Sequence, residues 1–297
     1  MKTSKSTGYF LAILAALLWG VSGTLAQFLF QNRGITPEWL VTTRLLISGI
    51  VFLIIALSTN PAEVFKPFKN KVDSLHMIGF GIFGMLAVQY TYFAAIKHSN
   101  AATATILQYS GPVLIACYSA LKEKRIPSPK EIFAIILAML GTFLIVTHGS
   151  LESLSITSVA LFWGLISAVA LAVYSILPIN LMNKYQATVV VGWGMLIGGL
   201  AFSLLNNPFA APGEWDLYSY LFSAGIILLG TMVAFYSYML SVKIVGPTVA
   251  SLLACAEPLS AALIAVLWLN TPFGMYDGIG TVCILITITM LTGKEAI

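Results

Sequence analysis

The feature that most constrains this chain is a series of long apolar runs separated by short polar clusters. A helix that crosses a bilayer needs about 20 mostly apolar residues, because it rises about 1.5 Å per residue. Runs of this kind predict ten transmembrane helices, at residues 9–30, 37–58, 75–97, 101–121, 130–148, 157–180, 187–206, 218–242, 247–269 and 274–292. We therefore expect an all-α integral membrane protein whose main partner is the lipid bilayer.

Composition excludes the common soluble classes. Of the 297 residues, 59% are apolar and only 9% are charged, whereas a soluble domain carries roughly 25% charged residues. The net charge of +4 is small and scattered, so no nucleic-acid partner is expected. The cysteines and histidines match no metal spacing, and no Walker, HExxH or GxSxG motif occurs. We expect no cofactor, no metal and no enzymatic activity.

The distribution of basic residues predicts the orientation of the chain. Ten spans give two alternating sets of loops, and the second set contains only Arg33 and Lys97. Twelve basic residues lie in the first set: Lys2, Lys5, Lys66, Lys69, Lys71, Lys122, Lys124, Arg125, Lys130, Lys184, Lys243 and Lys294. Basic loops stay in the cytoplasm, so both termini are predicted to be cytoplasmic in a cell (inner or plasma) membrane. The first apolar run is too long for a cleaved signal peptide and is interpreted as a retained span.

An internal repeat is visible at a spacing of 146 residues. The stretches YTYFAAIKHSNAATATILQYSGP and YSYMLSVKIVGPTVASLLACAEP align at that spacing. The aligned pairs are Tyr92 with Tyr238, Lys97 with Lys243, Ala104 with Ala250, and Pro112 with Pro258. An offset near 152 aligns the first span with the sixth. Because each half has five spans, the halves 1–150 and 151–297 are predicted to enter the membrane from opposite sides, as in many transporters.

Several segments carry a resemblance to a known family. They are LAALLWGVSGTLAQ, TTRLLISG, SNAATATILQYSGP, GTFLIVTHG and LLACAEPLSAALIAVLWL, in this order along the chain. With them the chain resembles the EamA-type members of the drug/metabolite transporter superfamily. The resemblance implies ten helices in two inverted five-helix repeats and transport of metabolites without an ATP-hydrolysing domain. It implies no particular substrate.

Two normally ionised residues, Arg44 and Glu257, stand out inside the predicted spans. A charged side chain at the centre of a bilayer costs roughly 2.5–3.5 kcal/mol on insertion scales, so such residues usually face a protein interior or a wet cavity. Arg44 is interpreted either as an anchor for an anionic group of a substrate or as a structural residue that binds carbonyls. Glu257 precedes Pro258, which leaves the carbonyl of Ala254 without its helical donor. Burial favours the protonated carboxyl, so Glu257 is predicted to bind substrate or protons, with a structural hydrogen bond as the alternative.

Polar and aromatic side chains at compatible depth complete the predicted substrate site. With Arg44 and Glu257, the predicted site residues are Trp19, Gln27, Gln89, Tyr92, Gln108, Tyr174, Trp193 and Tyr238, and Tyr109 lies in the same group. Amide and hydroxyl groups on apolar walls suit a small amphipathic metabolite. Trp and Tyr near the end of a span more often belong to the aromatic belt at the membrane interface than to a ligand site.

The favoured function is a secondary transporter, with export of small organic metabolites such as amino acids preferred to uptake. Alternating access driven by protons or by exchange is the expected mechanism. The alternatives are a membrane-embedded enzyme acting on lipid-linked intermediates, which needs clustered catalytic residues, and a channel. Saturable uptake with counterflow separates a carrier from a channel. A small-molecule substrate is the expected partner, and the sequence leaves a homodimer open.

Overall fold

The computed structural model describes residues 4–151, 157–261, 263 and 274–292, and within these ranges it is helical and contains no β-strand. Residues 264–269 of the predicted ninth span lie outside the described part. The long helices are labelled here in chain order: α1 Lys5–Asn32, α2 Pro37–Thr59, α3 Lys71–Lys97, α4 Ala101–Lys122, α5 Pro129–Thr147, α6 Ser158–Lys184, α7 Ala187–Ser203, α8 Leu217–Val245, α9 Pro247–Ala254 and α10 Met275–Thr292. Short helical turns at Pro61–Val64 and Lys66–Lys69 join α2 to α3.

Eight of the described helices, all but α7 and α9, are long and apolar enough to cross a membrane. Helix α7 is a shorter apolar helix. Helix α9 ends at a turn, after which residues 257–260 are helical again. The expectation of an all-helical protein with many membrane spans is therefore confirmed, while ten spans in two inverted halves stays a prediction.

The helices begin where the sequence supplies caps and prolines. Ser128 accepts a hydrogen bond from the backbone N–H of Glu131, whose side chain accepts one from the backbone of Ser128. This reciprocal arrangement satisfies two of the donors that the first turn of a helix leaves free. Pro37 and Pro129 follow their caps directly, at positions where proline removes no helical hydrogen bond.

Ion pairs between helix ends show which ends lie at the same face of the bundle, and they define two opposite faces. Lys184, at the end of α6, lies 2.7 Å from Asp73, at the start of α3. We name this side, with Lys66 and Lys184, the lysine-rich face. On the other side, Lys97 at the end of α3 lies 3.7 Å from Glu38 at the start of α2. That side, which includes Lys97 and Arg33, is the lysine-poor face.

Arg33 and Asp216 form an ion pair on the lysine-poor face that joins the end of α1 to the start of α8. Two nitrogens of the guanidinium, Nε and Nη2, donate to one oxygen of Asp216 at 3.1 and 2.9 Å. These hydrogen bonds, with those from Ser219, lower the pKa of Asp216 to about 2. A depressed pKa keeps the carboxylate charged at every pH above its ordinary value of about 3.9. The pair is therefore insensitive to pH near neutrality.

Five irregular segments interrupt the long helices, one of which is a turn at Leu177 and Pro178 in α6. Helix α3 contains a π-helical stretch at Phe80–Leu86, and α8 contains one at Ile226–Val233. Helix α4 consists of two parts, Ala101–Gln108 and Gly111–Lys122. Proline at residue 112 explains this break, because its ring prevents the helical hydrogen bond to the carbonyl four residues back. A corresponding turn follows α9 just before Pro258.

Helices α2 and α7 pack closely because glycines line their contact. An added Cβ at Gly49 of α2 would lie 2.6 Å from the backbone nitrogen of Leu196 in α7. One at Gly199 of α7 would lie 2.9 Å from the backbone nitrogen of Leu46. Small residues that let two backbones approach in this way are typical of helix pairs in membranes.

We expect Gly49→Ala to lower the thermal unfolding midpoint of the purified protein, because overpacking costs roughly 1–3 kcal/mol. Gly79→Ala is the matched control. Its added Cβ would meet only the Leu177 side chain, at an ordinary 3.8 Å, and a helix favours Ala over Gly by roughly 0.5–1 kcal/mol. Equal midpoints for the two variants would contradict the tight α2–α7 contact.

Candidate functional site

A cavity of about 430 Å³ lies at the centre of the bundle. Helices α1, α2, α3, α4, α6 and α8 contribute to its wall, and so does the segment that follows α9. The side chains and glycine that line it are Trp19, Ser22, Gly23, Arg44, Val88, Gln89, Tyr92, Phe93, Gln108, Leu171, Tyr174, Phe235 and Glu257. A mostly apolar wall with a few polar groups is typical of a site for a small organic ligand.

Arg44 places a positive charge in the wall of this central cavity. Arg44 is only 3% exposed, and its Cζ lies 4.1 Å from the ring centre of Phe93. This cation–π contact stabilises the charge by roughly 2 kcal/mol when water is excluded. No described carboxylate forms an ion pair with Arg44, and its Nε has no described hydrogen-bond partner. The guanidinium therefore retains donors for an anionic ligand.

Gln89 and Trp19 add further polar atoms that lack protein partners. Both the Oε1 and the Nε2 of Gln89 are buried without a hydrogen bond in the described part of the chain, and so is Nε1 of Trp19. Leaving a buried polar group without a partner costs roughly 1–3 kcal/mol. Because these atoms belong to residues that line the cavity, a ligand or water with hydrogen-bonding groups can satisfy them.

Glu257 also lies in the wall of the central cavity and is held by two tyrosines. Its Oε1 accepts a hydrogen bond from Tyr92 Oη at 3.0 Å, and its Oε2 lies 2.9 Å from Tyr109 Oη. Tyr92 Oη also lies 2.8 Å from Oγ1 of Thr105. Glu257 is only 4% exposed. The carboxyl group thus connects helices α3 and α4 with the segment that follows α9.

Helix α1 reaches this carboxyl segment through a glycine. A Cβ at Gly20 would lie 2.5 Å from the backbone oxygen of Glu257 and 2.1 Å from Oγ of Ser260. Any larger residue at this position would push α1 away from the helix break. Gly20 therefore sets how closely α1 and the Glu257 segment pack.

A second cavity, of about 760 Å³, adjoins the first and leads towards the lysine-poor face. It shares Gly23, Tyr92 and Glu257 with the central cavity. At its other end it is lined by Ala101, the first residue of α4, and by His148, which follows α5. We name it the vestibule. The shared residues place the Tyr92–Glu257 hydrogen bond at the boundary between the vestibule and the central cavity.

Aromatic rings close the central cavity on the side of the lysine-rich face. Tyr174 and Tyr238 are stacked, with ring centres 5.5 Å apart and planes 18° apart. Phe80 of the α3 π-helical stretch stacks on Tyr174 at 6.2 Å, and Trp19 contacts Tyr238 at 5.1 Å. Phe80, Tyr174 and Tyr238 are all fully buried. We name these three rings the aromatic plug.

The structure brings most of the predicted site residues together. Those that line the central cavity are Trp19, Arg44, Gln89, Tyr92, Gln108, Tyr174 and Glu257. Gln27 lies in the vestibule, where its side-chain oxygen accepts a hydrogen bond from the backbone of Ala101 at 2.8 Å. The amide of Gln108 donates to Oγ of Ser167 on α6 at 2.6 Å, so part of its polarity is used within the bundle.

Two predicted site residues line neither the central cavity nor the vestibule in the described part of the chain. Trp193 donates its indole N–H to the backbone oxygen of Val64 at 2.8 Å, and its ring packs on Phe65 and Phe68. It thus holds the short helical turns at the lysine-rich face, because those turns leave carbonyls without helical partners. Tyr238 stacks on Tyr174 as one of the three rings of the aromatic plug.

Sequence reasoning passed over several residues that the structure places at the site. Ser22, Gly23 and Phe93 line the central cavity, and helical spacing is the signal that could have found them. Positions three or four residues apart share one helix face, so Trp19 on α1 predicts positions 22 and 23. Asp277 in α10 was also passed over. It is 1% exposed and lies 2.7 Å from Nδ1 of His148.

Within the described ranges no three His, Cys, Asp or Glu side chains form a cluster that could hold a metal ion. The ionisable groups that line the cavity lie on different elements, and two of them, Tyr92 and Glu257, are hydrogen-bonded to each other. Such a wall suits reversible binding of an organic molecule, because each polar group can contact a different part of the ligand.

Comparison with known proteins gives a consistent result. The profile of the EamA-like transporter family matches residues 6–147 and again residues 158–293. The uncharacterized inner membrane transporter YicL of Salmonella typhimurium is 36% identical over 293 residues, which cover 97% of this chain and 96% of the relative. The pseudopaline exporter CntI of Pseudomonas aeruginosa is 31% identical over 154 residues, about half of each chain. A solved crystal structure superposes with a TM-score of 0.79 at 20% identity and covers 97% of both chains, which shows a common fold.

The vestibule and the plug predict one-sided access to the site. In a chain with Cys117, Cys255 and Cys283 replaced by Ala, we expect Ala102→Cys to react with a membrane-impermeant thiol reagent added at the lysine-poor face. Ala102 lines the vestibule. Ser175→Cys is the control, because Ser175 is fully buried and bonded to Tyr238. Reaction from the lysine-rich face, or equal labelling of both variants, would contradict this arrangement.

Proposed function

The chain belongs to the EamA-like transporter family, and from this membership we propose that it is a secondary transporter that exports small organic metabolites with a carboxylate, such as amino acids. The observation that carries the proposal is the central cavity, where Arg44 presents an unpaired charge beside the unpartnered amide of Gln89. A substrate carboxylate supplies the missing anion. The amide of Gln89 supplies a donor and an acceptor for the other polar groups of the substrate, and the indole of Trp19 supplies a further donor.

The apolar part of the wall sets the rest of the substrate's chemistry. Val88, Phe93, Leu171 and Phe235 line the same cavity as Arg44. Such side chains suit the apolar part of a small amphipathic molecule. The family name and the printed name of the exporter CntI support a transport role, and the carboxylate preference rests on the cavity alone.

We further propose that the chain has ten spans in two inverted halves of five. The repeated match of the family profile, at residues 6–147 and 158–293, supports this division. The irregular segments support it as well, because Ala101–Gln108 and Pro247–Ala254 are 146 residues apart, and the two π-helical stretches begin 146 residues apart. The repeat found in the sequence therefore extends to the local conformation of the backbone.

Helix contacts give independent support for a two-fold relation between the halves. Helix α1 packs along α8, while α6 packs along α3, and an exchange of halves converts the first contact into the second. Helix α2 packs against α7, and α5 against α10. Each of these pairs consists of equivalent helices from the two halves, so a two-fold axis maps the pair onto itself. The ion pairs obey the same rule. Arg33–Asp216 joins α1 to α8 at one face, and Lys184–Asp73 joins α6 to α3 at the other.

The proposed cycle is alternating access across the aromatic plug. With both termini in the cytoplasm and the lysine-rich face inside, the described conformation is open to the outside through the vestibule and closed to the cytoplasm by the plug. Release into the vestibule and reloading from the cytoplasm then require the two halves to rock about the central cavity. A closed plug also argues against a channel, which needs a continuous path.

We expect Arg44→Gln to weaken the binding of carboxylates selectively. The probes are matched pairs, each an amino acid and its decarboxylated amine. Binding is measured by thermal shift on the purified protein, because a ligand at 100 times its Kd stabilises the native state by about 2.7 kcal/mol. Charge-assisted hydrogen bonds contribute roughly 1.5–3 kcal/mol, so the amino acid should lose about tenfold to hundredfold in affinity. The amine should be unaffected. An equal loss for both members of a pair would contradict the carboxylate role of Arg44.

We propose that Glu257 carries the proton that couples transport to a pH gradient. We therefore expect Glu257→Gln to abolish the acceleration of transport by such a gradient, because a glutamine cannot exchange protons. The measurement is uptake, into proteoliposomes, of a labelled amino acid that passes the thermal-shift screen, with and without an imposed pH gradient. Counterflow at equal pH should persist in the variant, since it needs only binding and rocking. Asp73→Asn is the control, because Asp73 is buried in an ion pair at the lysine-rich face and lines neither cavity. Unchanged proton coupling in Glu257→Gln would refute the proposed role.

A further inference from the structure

The hydroxyl of Tyr109 lies between two acceptors that compete for its single proton. It lies 2.6 Å from the backbone oxygen of Ala254 and 2.9 Å from Oε2 of Glu257. Ala254 is four residues before Pro258, which has no N–H. Its carbonyl therefore lacks the helical donor, and the Tyr109 hydroxyl replaces it. Tyr109 is only 3% exposed, so competition from water is weak.

We propose that Tyr109 transmits the protonation state of Glu257 to the helix break that follows α9. This inference deepens the proposed proton coupling, on which it rests, by naming the residue that couples a proton to backbone movement. Tyr109 acts as a positioning residue, since it contacts the carboxyl group and the break but does not line the central cavity.

The hydrogen bonds can be counted in each state. When Glu257 is protonated, its Oε2–H donates to Tyr109 Oη, and the Tyr109 hydroxyl donates to the carbonyl of Ala254. Every group is then satisfied. When the proton leaves through the vestibule, the carboxylate has no hydrogen to donate and becomes the stronger acceptor. The Tyr109 hydroxyl then turns to Oε2, and the carbonyl of Ala254 is left without a partner.

The ionised state therefore weakens the bundle at a defined point. A buried carbonyl without a partner costs roughly 1–3 kcal/mol, and lipid offers no substitute. The turn at Cys255 and Ala256 is held mainly by short-range backbone bonds to Leu252 and Leu253. Loss of the cross-helix bond from Tyr109 frees this turn to change its angle. Protonation restores the bond and fixes the turn again.

Other titratable groups near Glu257 do not provide the same link. Within the described part of the chain, the titratable and charged groups that face Glu257 or share its cavities are Tyr92, Tyr109, Tyr174, Cys255, Arg44 and His148. Tyrosine, cysteine and arginine ordinarily ionise above about pH 8. His148 pairs with Asp277 on α10 and has no described bond to the helix break, so His148→Gln serves as a control for its titration.

Hydrogen–deuterium exchange of the backbone at residues 250–261 tests the relay in the purified full-length protein, without any substrate. Exchange is measured from about pH 5 to about pH 9 and corrected for the intrinsic base-catalysed rate. In the wild type we expect about tenfold more exchange once Glu257 is ionised, the size of one lost hydrogen bond. The protonated-carboxyl band in infrared difference spectra, which Glu257→Gln removes, reports the titration of Glu257 independently.

Three variants give distinct expected results. Tyr109→Phe should lose the pH-dependent step in exchange while the infrared band of Glu257 still titrates. Tyr92→Phe, the matched control, removes a bond to Oε1 but leaves the relay, so its step should persist at a shifted pH. Glu257→Gln should exchange slowly at every pH, because its amide N–H can donate to Tyr109 Oη as the protonated acid does. His148→Gln should retain the wild-type step.

A wild-type step in Tyr109→Phe, or in Glu257→Gln, would overturn the relay. If Tyr109→Phe fails to fold, judged by size-exclusion chromatography and circular dichroism, Glu257→Gln decides alone. Absence of any Glu257 titration in the wild type would overturn the relay and the proposed proton coupling together. If the wild type shows the expected exchange step but its transport does not respond to a pH gradient, only the proposed proton coupling is contradicted. The failure of the relay and the failure of the proton coupling are therefore distinguishable.

Discussion

Lipid offers no hydrogen-bond partner to a peptide group, and this constraint determines where the long helices of the protein can be interrupted. A break is stable only where the protein itself supplies donors and acceptors. Of the three described breaks with prolines, those in α4 and after α9 lie inside the bundle beside polar side chains, at Gln108 and at Glu257, and the third is at Pro178 in α6. The polar cavity and the breaks therefore require each other. The side chains satisfy the backbone, and the breaks bring those side chains to the middle of the membrane.

Much of this arrangement was predictable from the sequence. Apolar runs give the helices, because burial in lipid depends mainly on length and composition. Arg44 and Glu257 were predicted to face the interior from the cost of placing a charge in lipid, and both line the central cavity. Pro112 and Pro258 indicated the breaks, because proline removes a backbone donor wherever it occurs in a helix.

The remaining features depend on three-dimensional contacts that the sequence pattern does not contain. Trp193 and Gln89 look equivalent as polar groups within apolar runs, yet one holds a surface turn and the other faces the cavity without a partner. The difference arises from the rotation of each helix, which is set by packing against its neighbours. The π-helical stretches are also unmarked in the sequence, although Phe80 in one of them provides part of the aromatic plug.

The aromatic plug has a consequence for the energetics of the cell. An energised membrane stores free energy of roughly 2.3 kcal/mol per elementary charge for each 100 mV. A wet path through the protein would dissipate this store as leakage of ions. The stacked rings of Phe80, Tyr174 and Tyr238 are fully buried and oppose such a path. In the proposed cycle the plug therefore limits leakage of ions while the vestibule is open.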